Sequence, residues 1–222
     1  MHRPHTHITE RPAQTEGRLM RSAPFYDLLA NLMTFGQVRR LRRMTLDQAL
    51  LQPGERLLDV GCGTGGVTLP ARTRVGRNGS AAGIDPAPEM IAIARRKAKQ
   101  AGLEIDFRVG VIESLPFPDN TFDVVTSSLM MHHLPPHLQA KGLAEIRRVL
   151  KPGGRILIAD MRRPSTSPMK RFFGMLLQHG HSNRFGVEDL LKPLKEAGFG
   201  VVEQPDAHFM TIGFVRARKP TA

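Results

Sequence analysis

The segment Leu57-Leu58-Asp59-Val60-Gly61-Cys62-Gly63-Thr64-Gly65-Gly66 constrains this chain more than any other stretch. An apolar run ends at a carboxylate, and glycines then recur at every second position before a helical pattern begins. Physically this is a buried strand running into a tight turn and a helix N-terminus. Without Cβ atoms the backbone can touch a ligand, and free N–H groups point at it. Asp59 sorts the ligands: a carboxylate there repels phosphates and favours an ammonium group.

The surrounding pattern alternates strands with helices. Strands are predicted near residues 56–60, 80–84, 104–109, 121–127 and 154–159, and helices near 65–74, 87–101, 136–150 and 187–197. Gly102 and Pro152-Gly153-Gly154 act as stop signals. The runs 200–203 and 209–216 read as two closing strands. Such repetition implies an α/β fold whose mostly parallel sheet is covered by helices on both faces. Upstream, Phe25, Leu28, Leu29, Leu32 and Met33 share one helical face, and Val38, Leu41 and Leu46 mark a second helix. The organisation expected is a disordered polar tail over 1–20 and a single domain over 21–222. Within that domain we assign a helical cap to 24–51, a ligand-binding core to 55–160, a substrate cap to 161–186 and a closing helix and strand pair to 187–222.

No apolar run approaches the ~18 residues of a membrane span, and residues 1–7 lack the apolar stretch of a signal peptide. The single cysteine, Cys62, excludes an internal disulfide, and a cytoplasmic location is expected. The net charge of +12 raises the question of an anionic partner. Its clusters are Arg39-Arg40-Leu41-Arg42-Arg43, Arg95-Arg96-Lys97-Ala98-Lys99, Arg147-Arg148, Arg162-Arg163 and Lys170-Arg171. Those at 95–99 and 147–151 fall at helix C-termini, where cations complement the helix dipole. The remainder suits solvated faces, an anionic substrate, or peripheral contact with an anionic membrane surface. Oligomeric state is not legible.

In a sheet of this kind ligands bind beyond the carboxyl ends of the strands. Asp59 with the Gly61, Gly63 and Gly65 backbone would face the methionine part of S-adenosylmethionine (SAM). Asp85, ending the second strand, would accept both ribose hydroxyls while also capping a helix that opens at Pro86. Gly61, Gly63 and Gly66 also satisfy G-x-G-x-x-G, a dinucleotide fingerprint. The Asp59 carboxylate and the two terminal strands weigh against that rival.

Four segments in order, Leu57–Gly66, Gly83-Ile84-Asp85, Leu115–Val125 and Leu150–Arg155, resemble class I SAM-dependent methyltransferases. The resemblance implies a Rossmann-like seven-stranded sheet with an antiparallel final strand, and S-adenosylhomocysteine as product. It also implies cofactor contacts from Cys62, Pro86, Met90 and Ser127. The run Tyr26–Gln37 before the arginine-rich helix resembles the ubiquinone/menaquinone C-methyltransferases, in which the tyrosine lies over the cofactor. Two departures stand out. Val111 occupies the position where the family has an acidic residue for the adenine amino group, leaving the Ile112 N–H to serve the ring. Residues 161–186 are shorter than the quinone enzymes' substrate cap.

Methyl transfer needs a nucleophile held about 3–3.5 Å from the methyl group, and a base where a proton must leave. His132 and His133, after the fourth strand, are the catalytic candidates, with His179, His181 and His208 behind them. No cysteine cluster or helical His-Glu pattern supports a metal. Met169, Phe172, Phe173, Leu176 and Leu177 form a helical stripe suited to core or to an apolar acceptor. The reading is therefore a methyltransferase for a small lipophilic, aromatic or quinone-like acceptor, at carbon or oxygen. The alternatives are an RNA or DNA methyltransferase and a non-catalytic SAM-binding regulator.

Overall fold

The computed structural model describes residues 30–32, 34–163 and 185–221. The expected tail, Tyr26 with most of the first helix, the Met169–Leu177 stripe, His179 and His181 lie outside these residues.

Five parallel strands form the body of the sheet: β1 (Arg56–Val60), β2 (Ser80–Asp85), β3 (Asp106–Val109), β4 (Phe122–Ser128) and β5 (Leu150–Met161). Beyond β5 lie β6 (Val202–Glu203), the two-residue β7 (His208–Phe209) and β8 (Ile212–Arg218). The order across the sheet is β3-β2-β1-β4-β5-β8-β6, with β7 pairing the start of β8. The seven-strand path is thus the one expected, and β8 runs antiparallel to β5.

The helices are α1 (Val38–Gln48), α2 (Thr68–Val75), α3 (Pro88–Gln100), α4 (Pro136–Val149) and α5 (Leu191–Glu196). Strand alternation explains their placement, because successive side chains point to opposite faces. Leu57, Val124, Leu157 and Ala159 face α1 and α2, burying Leu41, Leu46, Ala71 and Val75. Their neighbours Leu58, Val125, Ile156 and Ile158 face the other way, onto Leu143, Ile146 and Leu194 of α4 and α5. Apolar side chains on both faces are what a covered parallel sheet demands. Cys62, Ile91, Ala94, Ala98 and Phe107 form a third cluster that seats α3 beside Leu69 of α2.

Some boundaries depart from the sequence reading. The α2 helix starts at Thr68 rather than near residue 65, because left-handed φ angles at Gly61, Gly63 and Gly65 keep that stretch a loop. The α3 helix opens at Pro88, two residues after Pro86. Strand β5 already begins at Leu150, with a register jump between the Phe122 and Val124 pairings. The run 209–216 is split by a turn in which Met210 adopts a φ of 54°.

The buried Arg155 guanidinium of β5, level with Val124 and Leu57 near the amino ends of β4 and β1, locks α1 in place. It donates to the carbonyls of Ala49 (2.7 Å) and Leu50 (2.6 Å) and pairs with Glu55 at 2.7 Å. The C-terminal end of α1 therefore lies at the amino edge of the sheet, and its N-terminal end points towards the carboxyl edge. Carbonyls left over at α1's end are shared between this side chain and Arg216, which donates to Gln48 O at 3.0 Å.

Candidate active site

The glycine loop leaves β1 between the carboxyl ends of β2 and β4. Val60 pairs with Ile84 on one side and Ser127 on the other. Gly61 and Cys62 both donate to the Ile84 carbonyl at 2.9 Å. Gly61 has a φ of 75°, and a Cβ there would lie 2.6 Å from Met130 Cγ, so only glycine fits. Lys97 on α3 ties the loop from outside by donating to Thr64 Oγ1 at 2.9 Å. Arg42 of α1 lies against Gly66, whose added Cβ would meet the guanidinium at 2.7–2.8 Å.

Asp59 sits beneath this loop, 2% exposed. Its carboxylate accepts from Thr68 Oγ1 (2.7 Å) and Thr126 Oγ1 (2.9 Å). Burial pushes its pKa up to about 6, against the partial relief of the two threonine hydroxyls. The carboxylate is thus held by two hydroxyls beneath the loop backbone. Sequence reading missed Thr68 and Thr126, since isolated threonines carry no signal.

Asp85, at the end of β2, bridges two elements. One carboxylate oxygen accepts from Gly63 N at 3.0 Å and the other from Ala87 N at 2.9 Å. Burial raises its pKa, with these two amides opposing the shift. Each oxygen retains a further lone pair for an incoming hydroxyl. The carboxylate thus holds the glycine loop and the entry to α3 at a fixed separation. The expected capping role is not found: the helix opens at Pro88 with Ala87 as its N-cap and no side-chain cap, and Asp85 holds only the Ala87 N–H just before it.

Gly110 donates to the Asp85 carbonyl at 3.1 Å, which brings the turn after β3 alongside. There Val111 is partly buried and bridges to Ser114, while the Ile112 side chain is buried against Gly142 of α4. Met90 is 3% exposed and packs with Ala87, so it supports the floor of this side. Cys62 is buried, with its thiol pushed well above the usual range by burial, and its side chain faces Gly83 and Phe107. The Cys62 side chain is therefore a packing group.

Two buried polar atoms find no hydrogen-bond partner among the described residues: Ser127 Oγ and Glu113 Oε2. Ser127, 0% exposed, stands between the loop and β5. A buried hydroxyl left unmatched is costly unless something else supplies the partner. Glu113, two residues past Val111, escaped the sequence reading. The glycine loop, Asp85 and Ser127 together offer amide donors, a diol acceptor and an unmatched hydroxyl, a donor set that fits SAM.

The histidines separate clearly. Leu129 donates to the Ala159 carbonyl, bringing the turn after β4 onto the end of β5. His132 Nδ1 meets Asp160 Oδ1 at 2.6 Å, and the His132 amide donates to Asp160 Oδ2 at 3.2 Å. Asp160 is wholly buried. Gln139 of α4 steadies the same turn by donating to the carbonyls of Met131 and Leu134, both at 3.1 Å. His133 packs on the His132 ring at 3.9 Å. His208 lies apart, exposed on β7. Asp160 was missed because an acid ending an apolar run is also a common strand terminus. No group of histidine, cysteine and acidic residues among those described could hold a metal ion.

Residues 57–154 match a family model described as a methyltransferase domain. The chain is 40% identical over 154 residues to a demethylmenaquinone methyltransferase of Thermus thermophilus, covering 69% of this chain and 67% of that one. It is 30% identical over 213 residues to the ubiquinone/menaquinone biosynthesis C-methyltransferase UbiE of Salmonella paratyphi B, covering 86% and 83%. In fold it is similar to a SAM-dependent methyltransferase from Aquifex aeolicus, with a TM-score of 0.66 and 22% identity over 82% of this chain and 96% of that one. The chain belongs to the class I SAM-dependent methyltransferases, near the ubiquinone/menaquinone C-methyltransferase group.

Proposed function

We propose that this enzyme methylates a small, lipophilic, quinone-like acceptor bearing a hydroxyl, with His132 as the base and Asp160 as its positioning partner. The observation that carries the reading is the 2.6 Å contact between His132 Nδ1 and Asp160. The names of the relatives, which act on demethylmenaquinone and related quinones, support the acceptor class.

SAM supplies an activated methyl group on a sulfonium. Asp85 would hold the ribose hydroxyls, and the Gly61–Gly65 backbone with Ser127 would line the cofactor's near side. Asp59 would favour the cationic donor from beneath the loop, its field undiluted by water. Cys62, Pro86, Met90, Val111 and Ile112 would shape the walls, the Ile112 amide serving the ring.

A carboxylate facing Nδ1 selects the imidazole tautomer that carries its proton there. Nε2 then keeps its lone pair. With the turn held by Gln139 and Asp160, that lone pair has a fixed direction. It would take the proton of the acceptor's hydroxyl, raising electron density at that oxygen and at the ring carbon beside it. Either the oxygen or the ortho carbon would then be the nucleophile; attack by carbon would be followed by loss of that carbon's own proton to the medium, restoring the ring, and alignment decides which one reacts. A cytoplasmic location belongs to the same reading; no helix among the described residues is long and apolar enough to cross a membrane.

The test is turnover of a reduced demethylnaphthoquinone with methyl-labelled SAM, comparing the native chain with Asp160→Asn. Product with the native chain and a kcat about 10²–10⁴-fold lower in the variant, at equal SAM affinity, is the expected result. Equal kcat would remove His132 and Asp160 from the chemistry. Absence of labelled quinone would remove the acceptor class.

A further inference from the structure

The edge of the sheet that carries the site also carries an unusual surface. The α1 helix begins at Val38, and its N-terminal end points to the carboxyl edge because Arg155 fixes its other end at the amino edge. The Arg40 guanidinium lies 6.0 Å from the Phe209 ring centroid of β7. The β7–β8 turn is at the same edge, since Met161 pairs with Ile212 and Asp160 with Gly213. Two tips project here. Phe35, in the turn before α1, is 78% exposed, with Leu32 beside it at 71%. Met210, at the tip of the β7–β8 turn, is 47% exposed. Phe35 (φ 48°) and Met210 (φ 54°) both adopt left-handed backbone, which costs a side-chain-bearing residue energy, yet both side chains stay largely on the surface.

Cations ring these tips. Arg39 and Arg43, one helical turn apart, are exposed, and neither meets a carboxylate among the described residues. The one acid on α1, Asp47, is already paired with Arg74. Exposed apolar tips set among unneutralised arginines match a surface that is anionic outside and hydrocarbon within. Nucleic acid would use the arginines but would leave Leu32 and Met210 without a role.

We infer that the turn before α1, the N-terminal half of α1 and the β7–β8 turn form a docking face for an anionic phospholipid bilayer. Phe35, Leu32 and Met210 enter the interface, and Arg39 and Arg43 contact lipid phosphates. The face adjoins the site, because Asp160, the partner of His132, lies one residue before the end of β5. A lipophilic acceptor could therefore pass from the bilayer to the site without crossing water. The docking itself does not depend on what the acceptor is.

The sequence holds no tryptophan, so Phe35→Trp places a single reporter at the tip of the face. On mixed phosphatidylcholine–phosphatidylglycerol vesicles its emission shifts to the blue and is quenched by brominated acyl chains. On phosphatidylcholine alone both changes are weak. Each cation near an anionic surface is worth roughly fivefold in partitioning, so Arg39→Gln with Arg43→Gln lowers co-sedimentation with the mixed vesicles roughly 25-fold. SAM binding, measured by calorimetry on the same variants, stays at the native value and reports an intact fold. An unshifted emission spectrum from the reporter on anionic vesicles overturns the proposal. So does native-level sedimentation of the double variant, or salt-sensitive capture of an RNA oligonucleotide without vesicle binding.

Discussion

Replacing Asp59 by asparagine separates what this carboxylate costs the fold from what it gives the site. Its pKa in the folded chain is raised from 3.8 to about 6, chiefly by burial. The folded state therefore holds a proton that the unfolded chain releases earlier. Stability from this group is complete below about pH 4 and is lost as pH rises through 6. At 1.36 kcal/mol per unit, a rise of roughly two units amounts to about 3 kcal/mol across the window, of which about half falls between pH 5 and pH 8. The asparagine side chain keeps the shape and does not ionise, and the Thr68 and Thr126 hydroxyls can rotate to suit an amide. Urea unfolding at pH 5 and pH 8 reads the effect directly. The native chain should lose about 1–2 kcal/mol more than Asp59→Asn over that interval, and the variant should be the more stable at pH 8. Its SAM affinity should nevertheless be weaker, because the negative charge beneath the loop is gone. Parallel pH slopes for the two proteins would refute the argument that burial dominates at Asp59.

Asp85→Ala should weaken SAM binding by about 1–3 kcal/mol, read by calorimetry, while also loosening Gly63 and Ala87 from each other. Gly61→Ala should destabilise the chain by about 2 kcal/mol or more, since it meets both a left-handed backbone and Met130; a thermal melt within a degree of native would contradict this. Arg155→Met removes the countercharge of Glu55, leaves the Ala49 carbonyl without its donor and takes one of two donors from Leu50, and should cost about 3–5 kcal/mol. At about 2–4 °C per kcal/mol for a chain of this length, the melting temperature should drop by roughly 6–20 °C, as read by circular dichroism.

The sheet was legible because each strand writes two faces at once. Leu57 and Leu58, or Leu157 and Ile158, are all apolar, and only burial on both sides tolerates that. Stop signals were less faithful. Pro152-Gly153-Gly154 did not end α4, which stops at Val149; these residues fall inside β5, where Gly153 at a φ of 76° and the register jump accommodate them as an irregularity in the strand. In the site, Asp85 and the glycines could be read because their backbone demands are local. Asp59 was recognised, but its burial and its partners were not, because they depend on Thr68 and Thr126, 9 and 67 residues away. The choice between His132 and His133 rested on Asp160, 28 residues downstream, which no spacing rule connects to them.

The Arg155 clamp also orders events during synthesis. It joins β5 to the carbonyl of Ala49 across 106 residues, so α1 cannot lock down until β5 has left the ribosome. At about 5–20 residues per second that delay lasts roughly 5–20 s. For that time Leu41 and Leu46 lack the Leu157 and Ala159 side chains that share their core cluster, and a strongly cationic amphipathic segment is only partly covered. A charged bilayer would bind such a segment readily. Under the docking proposed above, the helix would serve first as a tether for the growing chain and only later as part of the docking face.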